Sequence, residues 1–309
     1  MWTQCSAAPW NPSSSGIIHG EYRISSPRER QAMDTAQLVG KATDIRKDIL
    51  TMITEAGSGH PGGSLSCTDM LTALYFGGVL DHDPADPAKV GRDRFILAKG
   101  HAAPALYATL AHAGYFPIEE LATLRKLGTR LQGHPDSNLL PGVEVSTGSL
   151  GQGLSVAAGL AAGLRLTGEA GCVFTILGDG ECEEGQVWEA AMFAAHQRLG
   201  RLIAIIDNNE LQIDGCIHDV CDPGDLGEKF AAFGWDVVRV DGHDIDALVA
   251  TLGRLKAAAA DEAAPVAVIA ATVKGKGVSF MENQAGWHGK APKAEELEIA
   301  LAELSAAVA

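Results

Sequence analysis

Residues 172–213 read CVFTILGDGECEEGQVWEAAMFAAHQRLGRLIAIIDNNELQI, and this segment carries the clearest signal for the fold. It opens with an apolar run over residues 172–177, which is typical of a buried parallel strand. Apolar side chains at helical spacing follow the turn Gly178-Asp179-Gly180, and a second apolar run leads into Asp207-Asn208-Asn209. The stretch therefore predicts a strand–helix–strand unit. In open parallel sheets, ligands bind outside the carboxyl ends of such strands.

The turn after the first strand combines two features that conflict unless a cation is present. Its glycines and the following helix N-terminus favour a phosphate group, yet Asp179 lies among Glu181, Glu183 and Glu184, which would repel a bare diphosphate. A divalent cation resolves the conflict. Asp179 offers a carboxylate and Asn209 a neutral carbonyl. One backbone carbonyl, two phosphate oxygens and a water would complete a six-oxygen Mg²⁺ shell.

The sequence Gly-Asp-Gly, then residues 181–207, then Asn-Asn resembles the thiamine-diphosphate-binding motif. The wider segments GDGECEEGQVWEAAMFAA and IAIIDNNELQIDG resemble the amino-terminal domain of transketolases. The resemblance implies thiamine diphosphate and Mg²⁺, or another divalent cation, as cofactors. It implies that Asp179 and Asn209 bind the metal by their side chains, with Asn209 also facing the cofactor. Leu211 would contribute its backbone carbonyl to the metal, and Gly180 would direct its N–H at the diphosphate.

Four glycine-flanked histidines extend the resemblance over about residues 35–300. The segments GSGHPGGSLS, AKGHAAPALY, GHPD, PGVEVSTGSLGQGLS and WHGKAPK resemble transketolase segments in the family's order. The resemblance implies that His60 and His288 assist proton removal from the C3 hydroxyl of the sugar donor, and that His134 holds its C1 hydroxyl. His101 and His288 would contact the cofactor. Histidine suits this chemistry because it titrates near neutral pH.

Three further positions match the family's pattern. The resemblance places the backbone of Gly148 and Leu150 beside the aminopyrimidine, and makes Glu184 part of a proton network across a subunit interface. Transketolases carry two more domains, which supply the glutamate that activates the cofactor and an aromatic pocket for its ring. The chain therefore resembles the amino-terminal subunit of a split transketolase. Its expected partner is a separate carboxyl-terminal subunit in a two-plus-two assembly, and its expected substrates are sugar phosphates, as in pentose phosphate metabolism.

Two alternatives remain open on the sequence. One is a subunit of another thiamine diphosphate enzyme, such as a deoxyxylulose-phosphate-synthase-like or ketoacid dehydrogenase protein. WHGKAPK and GHPD favour a transketolase over these. The other is a non-catalytic binding homologue. Retention of Asp179, Asn209 and the four histidines argues against a protein that has lost its function.

Composition excludes several other classes. The 309 residues are 46% hydrophobic and 20% charged, with a net charge of −15 and no basic run, so nucleic acid and anionic membranes are poor partners. No apolar run is long enough to span a bilayer. Six cysteines occur, one of them at the predicted core strand, so we expect no disulfide framework and a cytoplasmic location. The spacing from Cys216 to Cys221 fits no zinc site and predicts a plain loop.

The pattern along the chain predicts two regions. Residues 1–33 are rich in Ser, Pro and Gly and are expected to form a disordered or irregular tail. Residues 34–309 alternate predicted helices and strands, which indicates one α/β domain: a doubly wound, mostly parallel sheet with helices on both faces, the thiamine-diphosphate-binding fold. We expect a loop over residues 58–63 and a helix over residues 121–127.

Overall fold

The computed structural model describes residues 33–307, and the predicted tail of residues 1–33 lies almost entirely outside them. The helices are α1 (Thr35–Ala56), α2 (Pro61–Ser66), α3 (Thr68–Phe76), α4 (Ala103–Ala113), α5 (Gln152–Thr167), α6 (Gly185–His196), α7 (Ile217–Val220), α8 (Leu226–Ala232), α9 (Ile245–Ala258) and α10 (Ala294–Ala306). The strands are β1 (Arg94–Leu97), β2 (Val173–Gly178), β3 (Leu202–Asn208), β4 (Leu211–Gln212), β5 (Gly215–Cys216), β6 (Asp236–Asp241) and β7 (Val266–Ala271).

Five parallel strands form the central sheet in the order β1-β2-β3-β7-β6. β2 and β3 come from the two apolar runs of residues 172–213 and pair from Val173 opposite Leu202 to Gly178 opposite Asp207. Because all five strands are parallel, their carboxyl ends lie along one edge of the sheet. The predicted strand–helix–strand unit is confirmed.

Side chains alternate between two cores on the two faces of the sheet. In β2, Phe174 and Ile176 pack in a core with residues of α1, α3, α4 and α9, while Val173 and Leu177 pack in a second core with residues of α5, α6 and α8. Every one of these four strand side chains is fully buried. The prediction of a doubly wound α/β sheet with helices on both faces is confirmed.

One predicted loop is a helix. We expected a loop over residues 58–63, but Pro61 begins the six-residue helix α2. Proline suits the first turn of a helix because its missing N–H needs no acceptor there. All six residues are buried, so packing overrides the low helix propensity of Gly62 and Gly63.

Two other local predictions are wrong. In place of a helix over residues 121–127, a 3₁₀ segment spans Ile118–Thr123, and Arg125 then adopts a left-handed backbone with φ 57° that a helix does not allow. The region from Cys216 to Cys221 is not a plain loop. It contains the end of the short β4–β5 hairpin and the single turn α7.

Two expectations about the chain as a whole can be compared with the described residues. The five cysteines among them are all free thiols. Within residues 33–307, no helix combines the length and apolar character needed to cross a bilayer.

Candidate functional site

Four strands bring the candidate site together at the carboxyl edge of the sheet. His101 follows β1 in a 3₁₀ segment, Asp179 follows β2 directly, and Asn209 follows β3 directly. Lys274 follows β7 by three residues. The predicted placement of polar groups at strand ends is therefore found on four neighbouring strands.

The four predicted histidines form one cluster. His60 lies at its centre, with ring centroids 5.4 Å from His101, 6.4 Å from His134 and 5.5 Å from His288. His101 and His288 stack at 5.0 Å. Residues far apart in the sequence thus line one small region, as the resemblance implied.

Burial and neighbouring cations hold these imidazoles in their neutral form. Burial, followed by the charge of Arg125, lowers the pKa of His60 to about 4. Burial and Lys274 lower the pKa of His288 to about 3. Burial also lowers the pKa of His101 well below its usual value and, with Arg125, lowers the pKa of His134. Neutral imidazoles have a free lone pair that can accept a proton. Because a general base works best when its pKa lies near the operating pH, the low pKa values of His60 and His288 make these two rings weak bases in the chain without ligand.

Glycines give the cluster its shape by letting backbone approach side chains. A Cβ on Gly148, whose φ is 136°, would lie 2.9 Å from Cγ and Cδ2 of His134. A Cβ on Gly63 would lie 3.2 Å from Nε2 of His101, and one on Gly62 would lie 2.9 Å from the carbonyl oxygen of Trp287. Any larger residue would push the histidine loops apart.

The predicted metal-binding side lies next to the cluster. Asp179 is buried and accepts hydrogen bonds from the backbone N–H groups of Gly180 and Glu210. Asn209 Oδ1 accepts from the N–H of Leu211 at 3.2 Å, and the carbonyl of Leu211 accepts from Lys274 Nζ at 2.8 Å. The Gly180 N–H thus bonds to Asp179 Oδ1 at 2.8 Å in this structure.

The donor set fits one hard cation. It comprises one carboxylate, one amide oxygen and one carbonyl, all oxygen ligands of the kind that Mg²⁺ prefers. Burial, and then the charge of Asp207, raise the pKa of Asp179 to about 6. A bound cation would offset both effects. Mg²⁺ takes six oxygen ligands, so a cation held by these three donors would need phosphate or water oxygens as well.

A buried network of charged and hydroxyl side chains contacts the backbone at the site, and it was not predicted from the sequence. Lys99 Nζ bonds to Asp207 Oδ2 and donates to the carbonyl of Gly63 at 2.8 Å. Ser66 and Thr272 donate their hydroxyl protons to the same Asp207 carboxylate. Lys99 and Asp207 are at most 1% exposed, so each charge depends on the other for compensation.

Lys274 links the metal-binding side to the histidines and was also missed. Its ammonium donates to His288 Nδ1 at 2.9 Å as well as to Leu211. Burial and Lys99 lower its pKa to about 8. The available signal was its position just after an apolar strand, the same signal that pointed to Asp179 and Asn209.

Glu184 and Leu150 lie at the rim. Glu184 precedes α6 on an exposed surface, where its Cβ is close enough to Gly151 to exclude a side chain there. Leu150 is 37% exposed. Neighbouring Glu181 is the buried carboxylate of this turn, and it accepts from the N–H groups of Gly151 and Gly178. It thereby fixes the loop that carries Gly148.

Several buried polar atoms at the site have no hydrogen-bond partner among the described residues. They include His60 Nδ1, Thr147 Oγ1 and Arg125 Nε. Buried polar groups are normally satisfied, so the unpaired His60 Nδ1 within the histidine cluster would gain a hydrogen bond from a polar ligand bound there. Together with the oxygen donors of Asp179, Asn209 and Leu211, this unpaired nitrogen fits a diphosphate cofactor held through a cation and a polar substrate.

Known proteins that are similar to this chain are transketolases or transketolase subunits. The sequence profile described as "Transketolase, thiamine diphosphate binding domain" matches residues 40–305. The chain is 45% identical, over 264 residues, to the 6-deoxy-6-sulfo-D-fructose transketolase subunit SqwG of Clostridium sp. (strain MSTE9), covering 85% of this chain and 94% of the relative. It is 42% identical, over 269 residues, to one subunit of the apulose-4-phosphate transketolase of Actinobacillus succinogenes, covering 87% of this chain and 96% of that relative.

Solved structures extend the comparison to full-length proteins. The transketolase of Campylobacter jejuni superposes with a TM-score of 0.82 at 29% identity, covering 88% of this chain and 43% of that one. A Pichia stipitis transketolase mutant in complex with xylulose 5-phosphate superposes with a TM-score of 0.80 at 30% identity. The chain spans less than half of these longer proteins.

Proposed function

Because the chain belongs to the transketolase family, of which it carries the thiamine diphosphate binding domain, we propose that it is the amino-terminal subunit of a two-subunit transketolase. The complete enzyme would transfer a two-carbon ketol unit from a ketose phosphate to an aldose phosphate. The observation that carries the proposal is the meeting of four neutral histidines beside the Asp179–Asn209 oxygen donors. Relatives called subunits match over more than nine-tenths of their length, which supports the split arrangement.

Thiamine diphosphate and a divalent cation would occupy the space between the strand ends and the histidines. Asp179, Asn209 and the carbonyl of Leu211 would hold the cation, and Gly180 would approach the diphosphate. Gly148, Leu150, His101 and His288 would contact the cofactor. Bound thiamine diphosphate would supply the electron sink for breaking a carbon–carbon bond. The protein must then orient the sugar and move its protons.

The histidines perform the proton transfers in this proposal. His60 and His288 would accept the proton of the C3 hydroxyl, and His134 would hold the C1 hydroxyl. The lowered pKa values of His60 and His288 keep both rings in the neutral form at neutral pH, and a bound substrate would have to raise these values for efficient proton transfer. Glu184, on the exposed rim, would belong to a proton network completed by another protein chain.

A separate carboxyl-terminal subunit would complete the cofactor site. α5 and α6 present small and apolar residues at the surface, with Met192 60% exposed and Phe193 46% exposed. An added Cβ at Gly159 or Gly163 of α5 would meet no atom within 4 Å. Exposed apolar side chains favour association, and we propose a two-plus-two assembly. The five free thiols are compatible with a cytoplasmic location.

Co-purification with the partner tests the proposal. The chain would be expressed with a protein that carries the pyrimidine-binding and carboxyl-terminal domains, and ketol transfer would be assayed with thiamine diphosphate and Mg²⁺. We expect turnover by the complex and background rates for either protein on its own. Robust turnover by this chain without the partner would refute the two-subunit proposal. Absence of ketol transfer by a complex that binds the cofactor, across a panel of sugar phosphates, would refute the transketolase activity.

A further inference from the structure

One guanidinium joins two of the histidine loops. Arg125 Nη1 donates to Ser58 Oγ at 3.0 Å, two residues before His60. Arg125 Nη2 donates to the carbonyl of Gly133 at 3.4 Å, one residue before His134. A Cβ on Gly133 would lie 3.1 Å from Cζ of Arg125, so the absence of a side chain there lets the guanidinium pack on the backbone.

The backbone of Arg125 is itself fixed in an unusual conformation. Its φ of 57° is uncommon for a residue with a side chain, and its N–H donates to the carbonyl of Leu131 at 2.9 Å. Strained conformations of this kind persist when surrounding structure determines them. Leu124 and Leu131, both fully buried, anchor the two sides of this turn. The position of Arg125 is therefore fixed at both ends, by its backbone conformation and by the hydrogen bonds of its guanidinium group.

We propose that Arg125 is a positioning residue, which sets the distance between His60 and His134 and keeps a fixed positive charge beside both rings. The inference rests on the proposed function, because those two histidines are the ones assigned to the hydroxyl groups of the sugar. Arg125 would thus keep both imidazoles correctly spaced, and its charge would add to the effect of burial in lowering the pKa of each ring. A guanidinium suits this task because it stays charged at every working pH.

Charges around the rings agree with this assignment. His60 faces Arg125, His134 and Lys274, and all three lower its pKa in addition to burial. His134 is less buried, and Arg125 is the one charged neighbour that lowers its pKa besides burial. His101 and His288 also face His60, but both are held neutral. Arg125 is thus the only cation among these groups that acts on both His60 and His134.

Substitutions at and near Arg125 can separate the effect of its positive charge from the effect of its hydrogen bonds to the histidine loops. Tyr107 OH lies 2.9 Å from the carbonyl of Gln132 and 3.1 Å from that of His134, so Tyr107→Phe loosens the same loop without changing any charge. Arg125→Lys keeps the positive charge but loses the planar guanidinium, whose two terminal nitrogens donate to the two histidine loops. Arg125→Gln removes the charge. Arg130→Gln serves as the matched control, because Arg130 lies in the same turn but pairs with Glu120 at the surface.

The measurement is NMR titration of ¹³C-labelled histidines in the full chain, with His60 and His134 assigned from their Gln variants. For Arg125→Gln we expect the pKa of both rings to rise by about 0.5–1 pH unit, as the loss of one charge at close range predicts. Arg125→Lys, Tyr107→Phe and Arg130→Gln should leave both values near wild type. Because this readout needs no activity, it stands even if the proposed reaction is wrong.

Ketol transfer by the partnered complex is the second measurement. We expect Arg125→Lys to lower kcat about tenfold with little change in the KM for the cofactor, and Arg130→Gln to have no effect. Unchanged histidine titration in Arg125→Gln would overturn the electrostatic role. Arg125→Lys tests the positioning role even if Arg125→Gln does not fold. A full kcat in Arg125→Lys would overturn that role. A lowered kcat in Arg125→Lys, with unchanged pKa values of His60 and His134, would support it.

Discussion

The ammonium of Lys274 lies 2.8 Å from the carbonyl oxygen of Leu211, the backbone group proposed to bind the metal. Because Lys274 also donates to His288, one side chain connects the proposed metal-binding side with the histidines proposed to transfer protons. A carbonyl oxygen has two lone pairs, so it can accept this hydrogen bond and still face a cation. The position of the Leu211 carbonyl is therefore coupled to the position of His288.

Asp179→Asn should weaken the binding of the divalent cation and of thiamine diphosphate together. Asp179 is the only charged side chain proposed in the metal shell, and without its charge the cation would be lost along with the diphosphate it shields. Calorimetric titration of the partnered complex measures both affinities. Glu183→Gln is the control, because Glu183 lies in the same turn but bonds to Gln212. Unchanged cofactor affinity in Asp179→Asn would place the metal elsewhere.

Alanine at His60 or at His134 should reduce turnover while cofactor affinity stays near wild type. General acid–base groups commonly contribute about 10²–10⁴-fold to the rate. His101→Ala should instead weaken cofactor binding, because His101 is the more deeply buried ring beside Lys99. Steady-state kinetics and cofactor titration of the three variants distinguish these roles. Full ketol-transfer activity in both His60→Ala and His134→Ala would contradict the assignment.

Acidification should destabilise the fold through the buried histidines. The pKa of His60 is about 4 in the folded chain, against about 6.5 when unfolded, so the unfolded state binds more protons between these values. The stability associated with the neutral ring is fully present above pH 6.5 and is lost as the pH falls toward 4. Denaturant unfolding of wild type and His60→Gln at several pH values checks this. As the pH falls from 6.5 to 4, the free energy of unfolding should decrease less steeply in His60→Gln than in wild type. The same pH dependence in both proteins would argue against a buried neutral ring at His60.

Gly148→Ala should impair the site by two routes. A φ of 136° is unfavourable for alanine, and its methyl group would lie 2.9 Å from the His134 ring. We expect a loss of stability of about 1–3 kcal/mol and a fall in kcat of about tenfold or more. Thermal unfolding and kinetics measure the two effects. Gly163→Ala is the control, since its added Cβ meets no atom within 4 Å and alanine favours a helix.

The strands, and the positions of Asp179 and Asn209 at strand ends, could be predicted because their signals are local. Buried parallel strands appear as continuous apolar runs, and Asp179 and Asn209 directly follow two of them. Helix α2 could not be predicted in this way, since burial of all its residues overrides the preferences of its glycines. The left-handed backbone of Arg125 has no sequence signal at all. Lys99 was missed because a lysine is ordinarily exposed, and only the fold brings Asp207 against it.

The strand order has a consequence for synthesis of the chain. β7 lies between β3 and β6, although it is the last strand of the central sheet to leave the ribosome. Until residues 266–271 emerge, β3 has an unpaired edge, and such an edge can pair with other chains. Lys274 and His288 lie beyond β7, so the same stage of synthesis that closes this edge brings in the last residues of the site. Until these late residues have been made, a nascent chain therefore has an exposed strand edge and lacks two of the residues that this chain contributes to the site.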